Sequence, residues 1–356
     1  MTDTVPVPGL TAGTDGPAAP HRDRPIFIVG CPRSGTTLVQ LMLHAHPEIA
    51  IPPENRFLLE VYDRREHFGD LREHTNRRKL AKFIVKRRRS RLNDLGLPPR
   101  RTRRRIVASA PTIGSAVATV LRDYAAQFGK RRWGDKRPSY IHRLDDVRRM
   151  FPDAQIIHVI RDGRDCVASL TRMPWWQGGA IAATWSWRMA IVRGRRAAAR
   201  LDTDSYLEVR YEDLVVAPEA QARRLCAFLD EPFDHAMLTP QEVAEVAVPE
   251  RKVWHARTHG EIDDAAVERW REDLEPWELD LFEFVAAPQL AQHGYALSRG
   301  HRPVPPLWPL MRFARFSARH ALHRLRAERR DARRRRHHDL PVAATAGEPE
   351  VTDDHR

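Results

Sequence analysis

An anion-binding loop is the strongest chemical signal in this sequence. The segment Gly30–Thr37 (GCPRSGTT) follows the apolar run Ile26–Val29 and leads into Leu38–Leu43, whose apolar residues have helical spacing. A glycine-bounded loop between a strand and a helix offers backbone N–H groups and a helix N-terminus to a phosphate group. The loop approximates the pattern G-x-x-x-x-G-K-[ST] of nucleoside triphosphatases, but Thr36 stands where that pattern requires lysine. The sequence therefore predicts a 5′-phosphate site with Arg33 in its loop, the alternative being a plain turn.

A second arginine stands at the end of another apolar run. Arg161 follows Gln155–Ile160, and Ser169 comes eight residues after Arg161, two helical turns along the next segment. A strand-end arginine and a hydroxyl from the following helix suit a second phosphate group, because a guanidinium donates a fork of hydrogen bonds. The alternative is a surface ion pair between Arg161 and Asp165, which would contribute little to stability.

Both patterns resemble motifs of the sulfotransferases that use 3′-phosphoadenosine-5′-phosphosulfate (PAPS). Pro32–Thr37 is similar to the 5′-phosphosulfate loop of this family, and Arg161 with Ser169 has the spacing of its 3′-phosphate motif. The resemblance covers about residues 24–298 and implies PAPS as co-substrate, with no metal ion required. It implies cofactor contacts from Arg33, Ser34, Gly35, Thr36, Thr37, Arg161 and Ser169.

Glu54 is predicted to be the general base. It follows two prolines, which stiffen the backbone before the carboxylate, and it begins an E-x-R element that ends at Arg56. This element most resembles the protein-tyrosine sulfotransferase branch, in which the glutamate takes the proton of the acceptor. Two alternatives stay open: Glu54 stabilises the N-terminus of the next helix, or His44 or His46 is the base.

Lys136 is the next catalytic candidate. It follows a short strand candidate, and Asp135–Pro138 resembles the D-K-x-P element of the family. The resemblance implies that Lys136 contacts the bridging oxygen or the sulfuryl group, and that Arg33 shares this role. The alternative is an exposed lysine without a function.

Two further cofactor contacts are implied by the resemblance. Tyr211 lies in Arg210–Leu214, which is similar to the R-Y-E-D-L element of the family, although a tyrosine there can also be a core residue. Arg269 precedes Trp270, as in a cation–tryptophan pair that binds a cofactor phosphate. The segment Arg251–Gly260 matches no motif clearly.

These residues together predict sulfuryl transfer from PAPS to a hydroxyl or amine acceptor by in-line displacement. The acceptor class stays open among a small molecule, a lipid, a glycan and a peptide. One alternative is a degenerate P-loop kinase or nucleoside triphosphatase, with Asp135 or Asp162 as the metal ligand. Another is a non-enzymatic anion- or nucleic-acid-binding protein, which the formal net charge of +13 would suit. No specific nucleic acid is expected, because the arginine clusters lack interleaved aromatic residues.

The elements that must position these residues are strands that alternate with helices. The predicted strands are Ile26–Gly30, Arg131–Gly134, Gln155–Ile160 and Tyr206–Val209. This alternation predicts an α/β fold of the P-loop-NTPase-like, three-layer type, in which helices flank a mostly parallel central sheet. Ligands of such sheets bind beyond the carboxyl ends of the strands.

Composition divides the chain into three parts. Residues 1–23 are predicted to be a disordered leader, residues 24–300 the sulfotransferase domain, and residues 301–356 a basic, partly disordered tail. In the tail, Phe313, Phe316 and residues 320–325 predict an incomplete apolar stripe beside arginines. Such a stripe suits an anionic membrane surface, and the alternative is a solvated tail.

The compartment is predicted from what the sequence lacks. No apolar run approaches the ~20 residues that span a bilayer, and the leader has no signal-peptide pattern. Three scattered cysteines do not suggest a disulfide framework. We therefore expect a cytoplasmic protein, peripheral at the inner membrane surface through its tail.

Overall fold

The computed structural model describes residues 24–86, 92–244, 262–337 and 342–344. The leader and the segment Arg251–Gly260 lie outside these ranges. The strands are β1 Ile26–Gly30, β2 Ile49–Ala50, β3 Arg132–Lys136, β4 Gln155–Ile160 and β5 Tyr206–Arg210. They form one sheet in the order β2-β3-β1-β4-β5, and every neighbouring pair is parallel.

Helices connect and cover these strands. They are α1 Thr36–Ala45, α2 Phe57–Asp63, α3 Arg65–Phe68, α4 His74–Lys86, α5 Pro99–Ala108, α6 Ile113–Ala126, α7 Leu144–Met150, α8 Gly163–Thr171, α9 Gly179–Ala198, α10 Tyr211–Val216, α11 Pro218–Leu229, α12 Trp270–Asp273, α13 Pro276–Gln292 and α14 Leu307–His337. Short 3₁₀ helices lie at Leu92–Leu95, Pro138–His142, His235–Leu238 and Pro240–Val243.

Both faces of the sheet are buried. Along β1, Phe27 and Val29 belong to one apolar cluster, and Ile26 and Ile28 belong to the other. The alternation follows from the two-residue period of a strand. Helices α6 and α9 contribute to the first cluster, and α1 and α11 contribute to the second. Burial on both faces explains why the strands are continuous apolar runs in the sequence.

This architecture confirms the predicted α/β fold. The predicted strands are all present within two residues at either end, and β3 extends through Lys136, which is therefore a strand residue. The strand β2 was not predicted, because two residues carry no period. The order puts β1 between β3 and β4, so the loop after β1 lies at a point where the direction of winding reverses.

The basic tail contains one long element. Within residues 301–356, which were predicted to be partly disordered, Leu307–His337 forms one continuous helix, α14. Residues 342–344 return to the domain: Gly114 donates a backbone hydrogen bond to Val342 at 2.8 Å, and Ala344 donates one to Met150 at 2.7 Å. Among the described residues, no helix is both long and apolar enough to cross a bilayer.

Candidate active site

The loop between β1 and α1 turns through two residues in the left-handed region. Arg33 has φ 73° and Gly35 has φ 94°. Gly35 is needed there for a second reason, because a Cβ atom would lie 2.4 Å from a ring carbon of Tyr211. Helix α1 begins at Thr36, so the N–H groups of Thr36 and Thr37 have no acceptor within the helix and are available to an anion.

Ser34 shapes this loop from within. Its side chain is fully buried, and its Oγ has no hydrogen-bond partner among the described residues. Its backbone N–H donates to the Cys31 carbonyl at 3.1 Å, which closes the turn. Ser34 was predicted to contact the cofactor. Its hydroxyl lies on the inner side of the loop.

Lys136 and Glu54 meet beside the loop. Lys136 Nζ lies 3.7 Å from Glu54 Oε2 and 3.4 Å from Thr37 Oγ1. The side chain of Lys136 is 2% exposed and that of Glu54 is 26% exposed, so the glutamate is the more accessible of the two. Burial lowers the pKa of Lys136, and the nearby charges of Glu54 and Asp135 oppose this shift. The structure thus brings the predicted base and the predicted cation to one point.

Asp135 holds the neighbours of both groups in place. Its Oδ1 accepts hydrogen bonds from Asn55 Nδ2 at 2.8 Å and from the Lys136 backbone N–H at 2.9 Å. Its Oδ2 accepts one from the Tyr140 hydroxyl at 2.6 Å. Asp135 is fully buried, and this burial raises its pKa to about 7. The residue that follows Glu54 is therefore fixed to the end of β3.

The other side of the Glu54 segment is fixed to α1. Gln40 Nε2 donates a hydrogen bond to the Pro52 carbonyl at 2.9 Å, and Gln40 itself is buried. The two prolines before Glu54 thus have a defined position, in agreement with the stiffening expected from the sequence.

The two histidines considered as bases bind the backbone instead. Buried His44 accepts a hydrogen bond from the Ile51 N–H at Nδ1, at 3.2 Å, and burial lowers its pKa to about 4. Both ring nitrogens of His46 have backbone partners: the Pro232 carbonyl at 2.8 Å and the Glu48 N–H at 3.1 Å. These contacts position the backbone around both rings.

The second predicted anion site lies next to the first. Arg33 Nε donates to Ser169 Oγ at 3.0 Å, and Arg161 Nη1 donates to the Arg33 carbonyl at 3.1 Å. Arg161 Nη2 donates to the Ala266 carbonyl and lies 3.5 Å from Asp165 Oδ2. Arg161 and Asp165 therefore do form an ion pair, but it is buried and is not the surface pair considered as the alternative. Arg161 Nε is buried without a hydrogen-bond partner in the described part of the chain, so the guanidinium retains a donor.

Tyr211 forms the wall between these two sites. The Arg161 guanidinium lies 4.7 Å from the centre of the Tyr211 ring, and the same ring packs against Gly35. Tyr211 is the first residue of α10, directly after β5, and it is half-buried. Tyr211 is therefore not fully buried in the core, and it contacts residues of both predicted anion sites.

Arg269 lies apart from this group. Its side chain is exposed, and its Nε lies 3.8 Å from Asp273 Oδ2. No contact in the described ranges connects Arg269 with the loop after β1. The flanking backbone does reach the second site, because Asp165 accepts hydrogen bonds from the N–H groups of Glu268 at 3.0 Å and Trp270 at 2.9 Å.

A buried polar network behind the site was missed by sequence reasoning. Arg164 pairs with Asp162 and Glu283, each at 2.7 Å, and its guanidinium lies 4.0 Å from the Trp270 ring centre. Glu212 accepts a hydrogen bond from the Asp162 backbone N–H at 2.9 Å. The run of charged residues in Arg161–Asp165 was the one sign of this network in the sequence. The partners Glu212 and Glu283 could not be read from it, because they come from distant parts of the chain. The carboxylate of Asp162 is therefore ion-paired with Arg164.

The part of the sequence that forms this site also identifies the protein family. Residues 25–235 match the sequence profile of the sulfotransferase family. This chain belongs to the sulfotransferase family. The match spans all five strands and includes Glu54, Lys136, Arg161 and Tyr211, but it ends before Arg269.

Relatives of this sulfotransferase chain include proteins named protein-tyrosine sulfotransferase. It is 28% identical over 225 residues to protein-tyrosine sulfotransferase A of Caenorhabditis elegans, covering 61% of this chain and 53% of the relative. The Drosophila melanogaster protein-tyrosine sulfotransferase is also 28% identical, and the match spans 62% of this chain and 41% of that relative. Human protein-tyrosine sulfotransferase 1 is 27% identical over 308 residues, covering 83% and 76% of the two chains. The chain thus spans about half the length of the first two relatives.

Solved structures agree with this placement. The sulfotransferase domain of the Synechococcus PCC 7002 olefin synthase superposes with a TM-score of 0.55 at 28% identity, covering 76% of this chain and 96% of that domain. The sulfotransferase domain from the curacin biosynthetic pathway has the same TM-score at 22% identity, which supports the fold alone. The resemblance to sulfotransferases predicted from the motifs is confirmed, including the similarity to the protein-tyrosine branch.

Proposed function

We propose that this chain transfers a sulfuryl group from PAPS to a hydroxyl acceptor, with Glu54 as the general base. The observation that carries the proposal is the position of Lys136 Nζ, 3.4 Å from Thr37 Oγ1 and 3.7 Å from Glu54 Oε2. A buried cation thereby lies between the predicted anion-binding loop and the carboxylate of a partly exposed glutamate.

The donors around the loop suit the two anionic groups of PAPS. The N–H groups at the start of α1 and the cations of Arg33 and Lys136 suit the 5′-phosphosulfate. Arg161, with its unsatisfied buried Nε, and Ser169 suit the 3′-phosphate. Tyr211 offers a ring to the nucleoside between them. The exposed Arg269 would join this set only with a movement of the segment around it.

The proposed roles follow from these positions. PAPS supplies the sulfuryl group, which forms a bond to the acceptor oxygen as its bond to the 5′-phosphate oxygen breaks. Glu54 takes the proton of the acceptor hydroxyl. Lys136 and Arg33 stabilise the negative charge that develops on the phosphate oxygen, and burial makes this stabilisation stronger than in water. 3′-Phosphoadenosine-5′-phosphate (PAP) is the second product.

Tyrosine-containing peptides are the first acceptors to test, since several relatives are named protein-tyrosine sulfotransferases. Small phenols, glycans, lipids and amines are the comparison classes. A cytoplasmic location stays a prediction from the sequence.

The kinase or nucleoside triphosphatase alternative has little support from the site. It requires an acidic metal ligand at the end of a strand. The oxygens of Asp135 accept hydrogen bonds from Asn55 and Tyr140, and Asp162 pairs with Arg164. Neither carboxylate is therefore available in this arrangement.

Calorimetry with PAP is the direct test of the proposed nucleotide site. We expect PAP to bind and ATP with Mg²⁺ to bind far more weakly, because the loop lacks the lysine of a triphosphate site. Transfer of label from radiolabelled PAPS to a tyrosyl peptide, a phenol or an amine then tests the reaction. Tight binding of ATP with Mg²⁺ in the absence of PAP binding would overturn the proposal.

A further inference from the structure

Helix α14 presents an apolar stripe to solvent. The described residues include nine large apolar side chains that are exposed, and five of these lie on α14: Leu307, Trp308, Met311, Leu322 and Leu325. At 3.6 residues per turn, Leu307, Met311, Leu322 and Leu325 fall within a sector of roughly 60°. They are 70%, 62%, 55% and 50% exposed. A patch of this kind on one element marks an interaction surface.

The opposite side of α14 already packs on the domain. Phe313 belongs to a buried cluster with Ile181 of α9 and Leu281 of α13. Further along the helix, the His320 ring lies 4.5 Å from the Trp185 ring. The stripe predicted from the sequence is therefore divided: Phe313 and Phe316 belong to the inner face, whereas Leu322 and Leu325, within the predicted residues 320–325, are exposed. The outer stripe is a second apolar face that internal packing does not explain.

The first half of α14 is held against the domain, so the outer stripe has a defined direction. Near the start, the Trp308 ring lies 4.8 Å from the Trp277 ring. In the middle, Phe316 and His320 contact the Trp185 ring of α9. This part of the helix thus packs on the domain with the stripe facing outward.

Arginines border this stripe on one side. Arg312, Arg315, Arg319 and Arg326 are exposed, and the helical period places them in the sector directly beside the stripe. Residues 307–327 contain no Asp or Glu. An apolar stripe with a cationic border suits the interface of a bilayer with anionic headgroups, because the leucines enter the acyl boundary while the arginines stay among the phosphates.

We propose that α14 docks the protein on an anionic phospholipid surface, with its axis in the plane of the membrane and Leu307, Met311, Leu322 and Leu325 inserted. The stripe decides between this partner and a nucleic acid. A polyanion in solution would use the arginines alone and would leave four large apolar side chains exposed. The proposal does not depend on the sulfotransferase reaction.

The test is co-sedimentation of the full chain with vesicles of phosphatidylcholine, with and without phosphatidylglycerol, at low salt. We expect binding only when phosphatidylglycerol is present, and weaker binding as salt is added. The charge-neutral variant Leu322→Gln/Leu325→Gln should lose about tenfold or more in partitioning for each leucine. The variant Arg312→Glu/Arg315→Glu/Arg319→Glu should lose about a hundredfold or more.

A matched control has the same change of charge elsewhere. Arg78, Arg103 and Arg104 are exposed and line a groove between α4 and α5. Arg78→Glu/Arg103→Glu/Arg104→Glu should bind vesicles like the unchanged chain. Circular dichroism and thermal unfolding of every variant verify that each is folded, without reference to nucleotide binding.

Three outcomes would overturn the proposal. The first is no binding of the full chain to vesicles with phosphatidylglycerol. The second is equal loss in the control, which would show a general charge effect. The third is binding that survives the leucine substitutions but not the arginine substitutions, which would identify a surface for polyanions such as nucleic acid.

Discussion

Arg33 Nε donates a hydrogen bond to Ser169 Oγ at 3.0 Å, across 136 residues of sequence. This bond joins the loop after β1 to helix α8, so the two anion sites predicted from separate motifs are neighbours. Arg161 strengthens the connection, because it donates to the carbonyl of the same Arg33 at 3.1 Å. Two neighbouring cationic sites suit one ligand that carries two phosphate groups, as PAPS does.

Replacing Arg161 should weaken nucleotide binding. Charged hydrogen bonds to phosphate are worth about 1.5–3 kcal/mol, so Arg161→Ala should raise the Kd for PAP roughly 10- to 100-fold. Calorimetry with PAP measures the change. Arg223→Ala is the matched control, because Arg223 and its ion-pair partner Glu219 are both exposed. An unchanged Kd for Arg161→Ala would remove Arg161 from the 3′-phosphate site.

Replacing Glu54 should greatly slow transfer without loss of nucleotide binding. The proposed base acts on the acceptor, so Glu54→Gln should lower kcat by ~10²–10⁴ and leave the Kd for PAP nearly unchanged. Steady-state kinetics at saturating acceptor and calorimetry separate the two effects. The control is Glu48→Gln, since Glu48 is a nearby carboxylate whose partner is Arg131. If Glu54→Gln keeps full activity while it binds PAP, another residue is the base.

Gly35 allows the close approach of Tyr211, and this contact can be tested with a second glycine. Gly35→Ala adds a Cβ atom 2.4 Å from the Tyr211 ring in a residue at φ 94°, so it should displace the loop or the ring and weaken PAP binding at least tenfold. Gly129 has φ 65° with no atom within 4 Å of an added Cβ. Gly129→Ala should therefore cost about 1–2 kcal/mol of stability with PAP affinity retained. Equal PAP affinity in the two variants would contradict a role for the Gly35 contact.

Local sequence patterns were sufficient to predict most of the fold and much of the candidate site. Buried parallel strands are continuous apolar runs, so β1 and β4 were predicted with their observed bounds. The loop after β1 and the pair Arg161 and Ser169 were predicted from spacing within short segments.

What the sequence did not reveal depends on contacts between distant segments. Asp135 was considered only as a metal ligand, because its partners Asn55 and Tyr140 are recognisable only in the folded chain. The inward packing of Phe313 follows from the positions of α9 and α13. Amphipathic spacing alone could not decide which side of that helix would be buried.

Asp135 should give the protein a measurable dependence of stability on pH. Burial raises the pKa of Asp135 from its usual value of 3.8 to about 7 in the folded protein. Between these two values the folded state holds a proton that the unfolded state has released. The free energy of unfolding should therefore fall as pH rises from about 4 to 7, with a slope of at most ~1.4 kcal/mol per pH unit from this group.

Asp135→Asn isolates that contribution, because an amide has nearly the same shape and does not titrate. Its oxygen can still accept from Asn55 and from the Lys136 N–H, and its NH₂ group can donate to Tyr140. Denaturant unfolding from pH 4 to 7 should show the unchanged protein losing stability relative to Asp135→Asn as pH rises. Asp70→Asn should show no such trend over pH 5–7, because the side-chain hydrogen bond from Arg72 lowers the pKa of exposed Asp70. Parallel stability curves for the unchanged protein and Asp135→Asn would mean that Asp135 is ionised in the fold, and its hydrogen bonds to Asn55 and Tyr140 would then have to stabilise a buried charge.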